Sequence, residues 1–242
     1  MAYRFFKRFF DIFCALLGII GTSPIWIITI IGILISDWGP IFYTAHRIGK
    51  GNKPFKMYKF RSMRVAKAAT EASLRPDEDR IFPFGHFIRK VKIDELPQLL
   101  NILNGTMSII GPRPVAQDQF DMFRYRPGVE RDAVEDAAMK RFDAASTVPM
   151  GLSGPAALYD FIYGDSITDP DEYMQKVYPT RRELEYTYVQ KAGFWYDCKM
   201  IIYTVICILY AVAGKEATWI LKELLNDARK SNLDLEVMPK LK

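Results

Sequence analysis

The 242-residue sequence has little with which to hold a soft metal or a covalent cross-link. Its three cysteines, Cys14, Cys198 and Cys207, all lie in apolar stretches, with neither a Cys-x-x-Cys nor a Cys/His spacing. They read as reduced thiols of a cytosolic face, not as a disulfide framework. The two histidines, His46 and His86, stand far apart without companion ligands, which argues against zinc. A metal in this protein would be a hard, oxygen-bound ion such as Mg2+. Charge is also missing where it is most informative. Residues 12–36 carry no charged side chain, and no acid stands between Asp37 and Glu71. Internal repeats and low-complexity tracts are lacking too, which leaves one domain with a core plus an appendage.

What is present is half hydrophobic and basic, with a formal charge of +5 and a pI near 9.0. Such a balance suits an anionic partner: nucleic acid, phospholipid or a phosphorylated substrate. Nucleic acid is disfavoured, because aromatic platforms within a known RNA-binding motif are absent. Phe5, Phe6, Phe9 and Phe10 alternate with Arg4, Lys7 and Arg8, a mixture suited to a helix entering a membrane interface. The uncharged run that follows would rise roughly 37 Å as a straight helix, enough to cross a bilayer. Ser23-Pro24 falls at its middle, where proline removes a backbone hydrogen bond and the serine hydroxyl can satisfy the freed carbonyl. Basic residues flank both ends, so the positive-inside rule places both ends in the cytoplasm. A bent, re-entrant helix meets both conditions, while a simple spanning helix remains open. The run is too long for a cleaved signal peptide, and no small-x-small cleavage site follows it.

Residues 41–44 and 54–63 read as a β-hairpin or a pair of extended segments joined through Gly49-Lys50-Gly51-Asn52. Residues 71–83 read as a loop, the stretch after Pro114 to Arg126 as a helix, and residues 129–145 as a charged helix. Asp165, Asp169, Asp171 and Glu172 lack the spacing and glycine of a calcium loop. A helix start near Asp169-Pro170 fits them better, opening a helix over residues 171–192. The uncharged residues 200–214 would rise only roughly 22 Å, so they lie in the membrane surface or pack on the first helix, or form a buried core helix. A helix and a charged, disordered end close the chain. The division expected is a membrane helix over 1–38, a catalytic body over 39–214, and a C-terminal helix and tail over 215–242.

Opposite charges crowd into residues 89–114. Leu96, Leu99, Leu100 and Leu103 recur at helical spacing beside a polar face of Asp94, Gln98 and Asn101. Pro97 fits in a first helical turn and Asn104-Gly105 supplies the stop. Asp94 and Glu95 would then sit at the positive end of a helix, with Arg89, Lys90 and Lys92 before them and Arg113 returning after. Carboxylates so placed are expected to stay ionised near neutral pH. They could cap a helix, bind a divalent metal, or attack phosphorus.

This segment, with its Asp-Glu pair before a Leu-rich helix and its Gly-Pro-Arg-Pro turn, resembles the bacterial sugar transferases known as monotopic phosphoglycosyl transferases. The resemblance covers the first half of the chain and includes Lys7-Arg8, Asp11, Ser23-Pro24 and the run Tyr58-Lys59-Phe60-Arg61-Ser62-Met63. The family's Arg-Pro-Gly-Ile-Thr-Gly-like loop is replaced by Val148-Pro149-Met150-Gly151-Leu152-Ser153-Gly154-Pro155, where substrate choice is expected to be set. The resemblance implies an α+β, mostly helical enzyme at the cytoplasmic face of a bacterial inner membrane, serving polysaccharide or exopolysaccharide assembly. It implies transfer of a sugar 1-phosphate from a UDP-sugar to undecaprenyl phosphate. Asp94 is implied as nucleophile, Glu95 with Asp94 as Mg2+ ligands, and Arg89, Arg113, Lys59 and Arg61 as phosphate-binding residues. Lys7, Arg8, Ser23 and Pro24 are implied as membrane-helix residues. Its partners would be these substrates and the lipid bilayer, with a homodimer allowed. Direct transfer without a covalent intermediate, a membrane-bound hydrolase, and a non-catalytic protein binding anionic lipid or a partner stay open as alternatives.

Overall fold

The structure, a computed structural model, describes residues 2–65, 80–117, 120, 133–167, 169 and 172–231. It opens with α1 (Ala2–Ser36), a single helix that runs through Pro24 instead of breaking there. Proline at position 24 frees the carbonyl of Ile20, and the Ser23 hydroxyl donates to that oxygen at 2.7 Å. One turn earlier the Thr22 hydroxyl also donates back, to Gly18 O at 2.6 Å.

Next come β1 (Phe42–Ile48) and β2 (Pro54–Phe60), an antiparallel hairpin in register from Phe42↔Phe60 to Ile48↔Pro54. Its turn uses the left-handed region twice, at Gly51 (φ 69°) and Asn52 (φ 58°), conformations that glycine and asparagine tolerate. The first strand is longer than its composition predicts, because Ala45 and Ile48 are buried together with Met57 and Phe60 of the second. Then follow α2 (Pro83–Lys90), α3 (Gln98–Leu103), β3 (Met107–Ile110) and β4 (Val115–Ala116). Strand β4 pairs with the free edge of β1, giving the order β2-β1-β4. Thus the stretch after Pro114 begins as a strand, not a helix; residues 118–119 and 121–132 lie outside the described residues, as do 66–79 and 232–242.

The chain continues through α4 (Ala133–Ala145), β5 (Met150–Ser153), which pairs parallel with β3, and α5 (Pro155–Ile162). A π-helical turn, Tyr173–Val177, leads into α6 (Tyr178–Lys191), and its start is fixed by the Asp169 carboxylate, which accepts from the Glu172 amide at 2.8 Å. Helices α7 (Phe194–Val212) and α8 (Thr218–Ser231) complete the body. The architecture is α+β and mostly helical, as expected.

Helix α8 shares its core with α5, α6 and α7 through Ile220, Leu221, Leu224 and Leu225. A second cluster joins Ala15 of α1 to Ala45, Met57, Leu99, Ile102 and Met107, and a third joins Ile33 to Phe60, Phe82 and Ile88. Helix α1 is therefore docked along its length. Its inner face carries Asp11, Ala15, Thr29 and Ile33, all buried, while Phe5, Phe9, Phe13, Leu17, Ile20, Ile28, Ile31 and Ile35 point outward and are exposed. Gly32 allows the closest approach: a Cβ there would stand 2.4 Å from the Phe84 ring of α2. Helix α7 repeats the pattern, exposing Trp195, Ile202, Val205, Leu209 and Val212 beside α1, with Phe10 and Phe194 rings 6.1 Å apart. An apolar face this extensive is the signature of a membrane or partner surface.

Candidate active site

Three elements converge on one charged centre. Lys59 stands near the end of β2, Asp94 and Glu95 form the short 3-10 turn Ile93–Glu95, and Arg113 lies in the turn between β3 and β4. The 3-10 turn is reached through Lys92, whose φ of 58° is rare for a non-glycine residue and reverses the chain directly after α2. Pro97 then precedes α3 in helical geometry, and Gly105 (φ 84°) follows its end, as their positions in the sequence predict. Asn101 is fully buried and stitches α3 to the hairpin: it accepts from the Tyr58 amide at 2.8 Å and donates to the Lys56 carbonyl at 2.8 Å. The polar side of this helix is thus an internal joint.

Lys59 Nζ lies 3.6 Å from Asp94 Oδ2 and 3.1 Å from Glu95 Oε1. A terminal nitrogen of Arg113 lies 3.6 Å from the same Glu95 oxygen. Asp94 is buried and its Oδ1 has no hydrogen-bond partner. The environments of the two carboxylates diverge. Burial pushes the Asp94 carboxyl above its ordinary range, against the pull of Lys59. Burial acts the same way on Glu95, but Arg113 and Lys59 overcome it and hold that carboxyl at about 2. Adjacent acids whose environments push their proton affinities apart are the pattern of a site that divides roles between two carboxyl groups.

Arg113 is held from behind. Its Nε lies 3.8 Å from Asp160 on α5, which is also 3.7 Å from Arg181 and accepts from the Tyr173 hydroxyl at 3.1 Å. Arg181 in turn pairs with Glu185 at 3.3 Å. The turn bearing Arg113 packs backbone to backbone on β5: the Gly151 amide donates to Pro112 O at 2.7 Å, and a Cβ at Gly151 would stand 2.1 Å from the Gly111 nitrogen. The segment that departs from the family pattern thus forms the back wall of the Arg113 turn. Sequence reasoning missed Asp160, Arg181 and Glu185. The signal available was a lone acid in the otherwise apolar Pro155–Ile162 and arginines three and four residues before a glutamate.

Other named residues are placed differently. Arg61 is buried and binds Asp37 and the Pro40 carbonyl just beyond the end of α1, which ties that end to the body. Arg89 is exposed, touches Met63 Sδ at 3.7 Å, and influences Asp94 through space without an ion pair. Lys7 and Arg8 turn inward instead of toward a lipid surface. Lys7 donates to Ile110 O at 2.9 Å and Asp197 at 2.8 Å, while Arg8 caps the end of α3 through Ile102 O at 2.5 Å and Leu103 O at 2.7 Å. Their spacing with Asp11 and Ala15 puts them on the docked face of α1.

The donor set suits magnesium. Two adjacent carboxylates, one with a buried oxygen lacking any partner, offer hard ligands, and Mg2+ is commonly held by one or two carboxylates with substrate phosphates and water. Among the described residues, no group of three or more His, Cys, Asp or Glu side chains could enclose a metal, so such an ion would be shared with a phosphorylated ligand.

A model of the bacterial sugar transferase family matches residues 2–211. The chain is 33% identical over 208 residues to a UDP-N-acetylgalactosamine-undecaprenyl-phosphate N-acetylgalactosaminephosphotransferase of Aeromonas hydrophila, covering 86% of this chain and 44% of that protein. It is 32% identical over 205 residues to a UDP-glucose:undecaprenyl-phosphate glucose-1-phosphate transferase of Escherichia coli strain K12, covering 84% and 40%. With an undecaprenyl-phosphate galactose phosphotransferase of Salmonella typhimurium it shares 39% identity over 136 residues, 50% of this chain and 28% of that one. The chain therefore spans less than half the length of these relatives.

Proposed function

The chain belongs to the bacterial sugar transferase family, and from that premise we propose that it moves a sugar 1-phosphate from a UDP-sugar to undecaprenyl phosphate at the cytoplasmic face of the inner membrane. The observation that carries this reading is the partnerless, buried Oδ1 of Asp94 beside Lys59, with Arg113 on the adjacent Glu95, on a body with a broad apolar face. One substrate is soluble and the other is a lipid. A charged site at headgroup height brings them together, and positioning with charge stabilisation is most of what phosphoryl transfer requires.

Asp94 acts as nucleophile. A carboxylate oxygen bonds to the sugar-bearing phosphorus while the bond from that phosphorus to the UMP oxygen breaks, and UMP leaves with the electron pair. An oxygen of undecaprenyl phosphate then attacks the same phosphorus, and Asp94 departs as the restored carboxylate. Arg113 and Lys59 hold the phosphate oxygens, with Arg113 as the planar fork. Arg89, exposed beside the 3-10 turn, is a further phosphate contact. Glu95, with Asp94, would hold Mg2+, which when bound supplies positive charge that screens a carboxylate from a diphosphate.

Helix α1 is re-entrant in this reading. Support comes from its two ends, which reach the same body: Asp11 accepts from Ser108 and the Ile109 amide at 2.9 Å each, and Asp37 binds Arg61. A cysteine placed at Thr22 or Trp38 should resist a membrane-impermeant reagent applied outside intact cells; labelling would contradict it.

The transfer itself is tested with purified protein, Mg2+ and a panel of UDP-sugars, with and without undecaprenyl phosphate. A lipid-free, single-turnover release of UMP, with a sugar-phosphate mass added to wild type and not to Asp94→Asn, is the expected result and names the sugar. Release only in the presence of lipid, with no added mass, would replace the covalent path by direct transfer. Free sugar phosphate without lipid would indicate a hydrolase, and no release with any sugar would remove the transferase reading.

A further inference from the structure

Asp160 is the only charged residue on α5, whose other side chains are apolar or aromatic. It is buried, and a buried carboxylate on such a helix is costly unless its partners offset the loss of water. Those partners come from both sides of the helix's surroundings. Oδ2 lies 3.8 Å from Arg113 Nε and 3.7 Å from a terminal nitrogen of Arg181, and Oδ1 accepts from the Tyr173 hydroxyl at 3.1 Å.

Arg113 is not needed to balance this charge. Asp160, Arg181, Glu185 and Arg182 are all buried, and they form a linked block of two carboxylates and two guanidiniums: Arg181 pairs with Asp160 at 3.7 Å and with Glu185 at 3.3 Å, and Arg182 pairs with Glu185 at 2.5 Å. The block is neutral by itself. Arg113 differs from its members, because its side chain is 31% exposed and its other carboxylate, Glu95, belongs to the Asp94 turn. The dependence therefore runs from Arg113 to the block: an arginine at the edge of the site leans on a fixed, neutral cluster behind it.

The two carboxylates on Arg113 are not equivalent. Glu95 meets a terminal nitrogen at 3.6 Å, Asp160 meets the Nε next to the stem at 3.8 Å, and both distances exceed a hydrogen bond. A phosphate arriving beside Asp94 competes with Glu95 for the terminal nitrogen, since both are anions seeking the same donor. Asp160 cannot follow the guanidinium forward. Arg181 and Tyr173 hold it, and Arg181 also donates to the Tyr173 hydroxyl at 3.2 Å. Gly164 closes in on its other oxygen, where a Cβ would stand 2.9 Å from Oδ1. A fixed negative charge at Nε sets the plane of the guanidinium, and an arginine oriented before binding loses less of its roughly 2 kcal/mol of rotamer entropy when the ligand arrives.

We propose that Asp160 is a positioning residue of the transfer site: through Nε it orients the Arg113 guanidinium so that the terminal nitrogens face a diphosphate at the Asp94 centre, and it does not touch the substrate itself. The inference rests on the transferase reading for its ligand. Asp160 lies on the helix that follows the segment departing from the family pattern, so the resemblance assigns it no role.

The test is a double-mutant cycle on the affinity for UDP, measured by calorimetry with Mg2+ on the purified full chain in detergent, for wild type, Asp160→Asn, Arg113→Ala and the double variant. Each single change should weaken UDP by about tenfold, the scale of one charge-assisted hydrogen bond. Because Asp160 acts through Arg113, the double variant should bind UDP within about twofold of Arg113→Ala. A merely structural role would instead lower the fraction of binding-competent protein in both backgrounds and leave the affinity of each competent molecule alone. Tyr173→Phe removes the hydroxyl that donates to Asp160 while keeping the ring, and it should repeat the coupling at about threefold, which keeps the test decisive even with a poorly folding Asp160→Asn. Additive losses in the double variant, or affinity unchanged in both Asp160→Asn and Tyr173→Phe, would overturn the assignment. The same cycle read on kcat/KM should show the same coupling. Turnover of UDP-sugars with additive losses removes the positioning role alone. Coupled losses in UDP binding with no turnover of any sugar remove the transferase reading alone, and a wild type that neither binds UDP nor turns over a sugar removes both.

Discussion

Two clusters of buried charge lie within this molecule, and they are built from the same residue types to opposite ends. At the junction of α1 with the body, Asp197 accepts from Lys7 at 2.8 Å, Tyr3 at 2.9 Å and Tyr188 at 2.9 Å, and Lys7 also reaches Ile110 O. Asp11 and Arg8 nearby are bonded just as fully. At the Asp94 centre the contacts are longer, 3.1 to 3.8 Å, and one carboxylate oxygen has no partner. Burial penalises charge in both places, so completion of bonding is what separates them. A closed cluster fixes one element against another. An open one retains unused bonding capacity, and that capacity is available to a substrate.

The sharpest way to break the comparison is to alter one carboxylate in each cluster. Asp94→Asn should lower UMP release by about a thousandfold or more, as loss of a nucleophile does, with the fold intact by circular dichroism. Asp197→Asn should do the reverse. It uncouples a buried pair and should cost roughly 3 kcal/mol, read as a lower unfolding midpoint in urea, while turnover per folded molecule stays near wild type. Arg113→Lys keeps the charge but loses the fork, and a drop in kcat/KM of about ten- to a hundredfold is expected; unchanged turnover would remove Arg113 from the phosphate site.

Acid titration resolves smaller effects. Glu95 has a lowered pKa, so its stabilising contribution is present above the ordinary carboxylate range and is lost as pH falls toward 2. Asp94 has the opposite sign: its raised pKa means the folded protein holds the proton more tightly, so the ionised form costs stability as pH rises. Glu95→Gln should therefore flatten the loss of stability between about pH 4 and 2. The Asp94→Asn variant, inactive, should melt above wild type at neutral pH in a scan of thermal unfolding. A lower midpoint would show that the open carboxylate is a structural group after all.

Local features of this fold were legible in the sequence because each rests on one residue and its near neighbours. Ser23 bonding the carbonyl freed by Pro24, the left-handed turn at Gly51-Asn52, Pro97 ahead of α3 and Asp169 at a helix start are all of this kind. The convergence of Lys59, Asp94, Glu95 and Arg113 was legible through the family resemblance. Long-range direction was not. Arg61 reads as equivalent to Lys59 two residues earlier, yet it lies past the end of β2 and turns to the end of α1. Asp160 reads as a lone acid on an apolar helix, and only the packing of α5 against the Arg113 turn gives it a role. Arg181 and Arg182 look like solvated charges until α6 is found buried on the side that carries them.

The docked face of α1 has a consequence in time. Arg8 meets carbonyls 94 and 95 positions downstream, and Lys7 meets a carboxylate 190 positions downstream. At a synthesis rate of about 5–20 residues per second, those partners leave the ribosome roughly 5 to 40 s after the helix does. During that interval α1 carries two cations and an acid on a face whose partners have yet to be made. The contact of Lys7 with Asp197 is therefore among the last that the docked face of α1 can make.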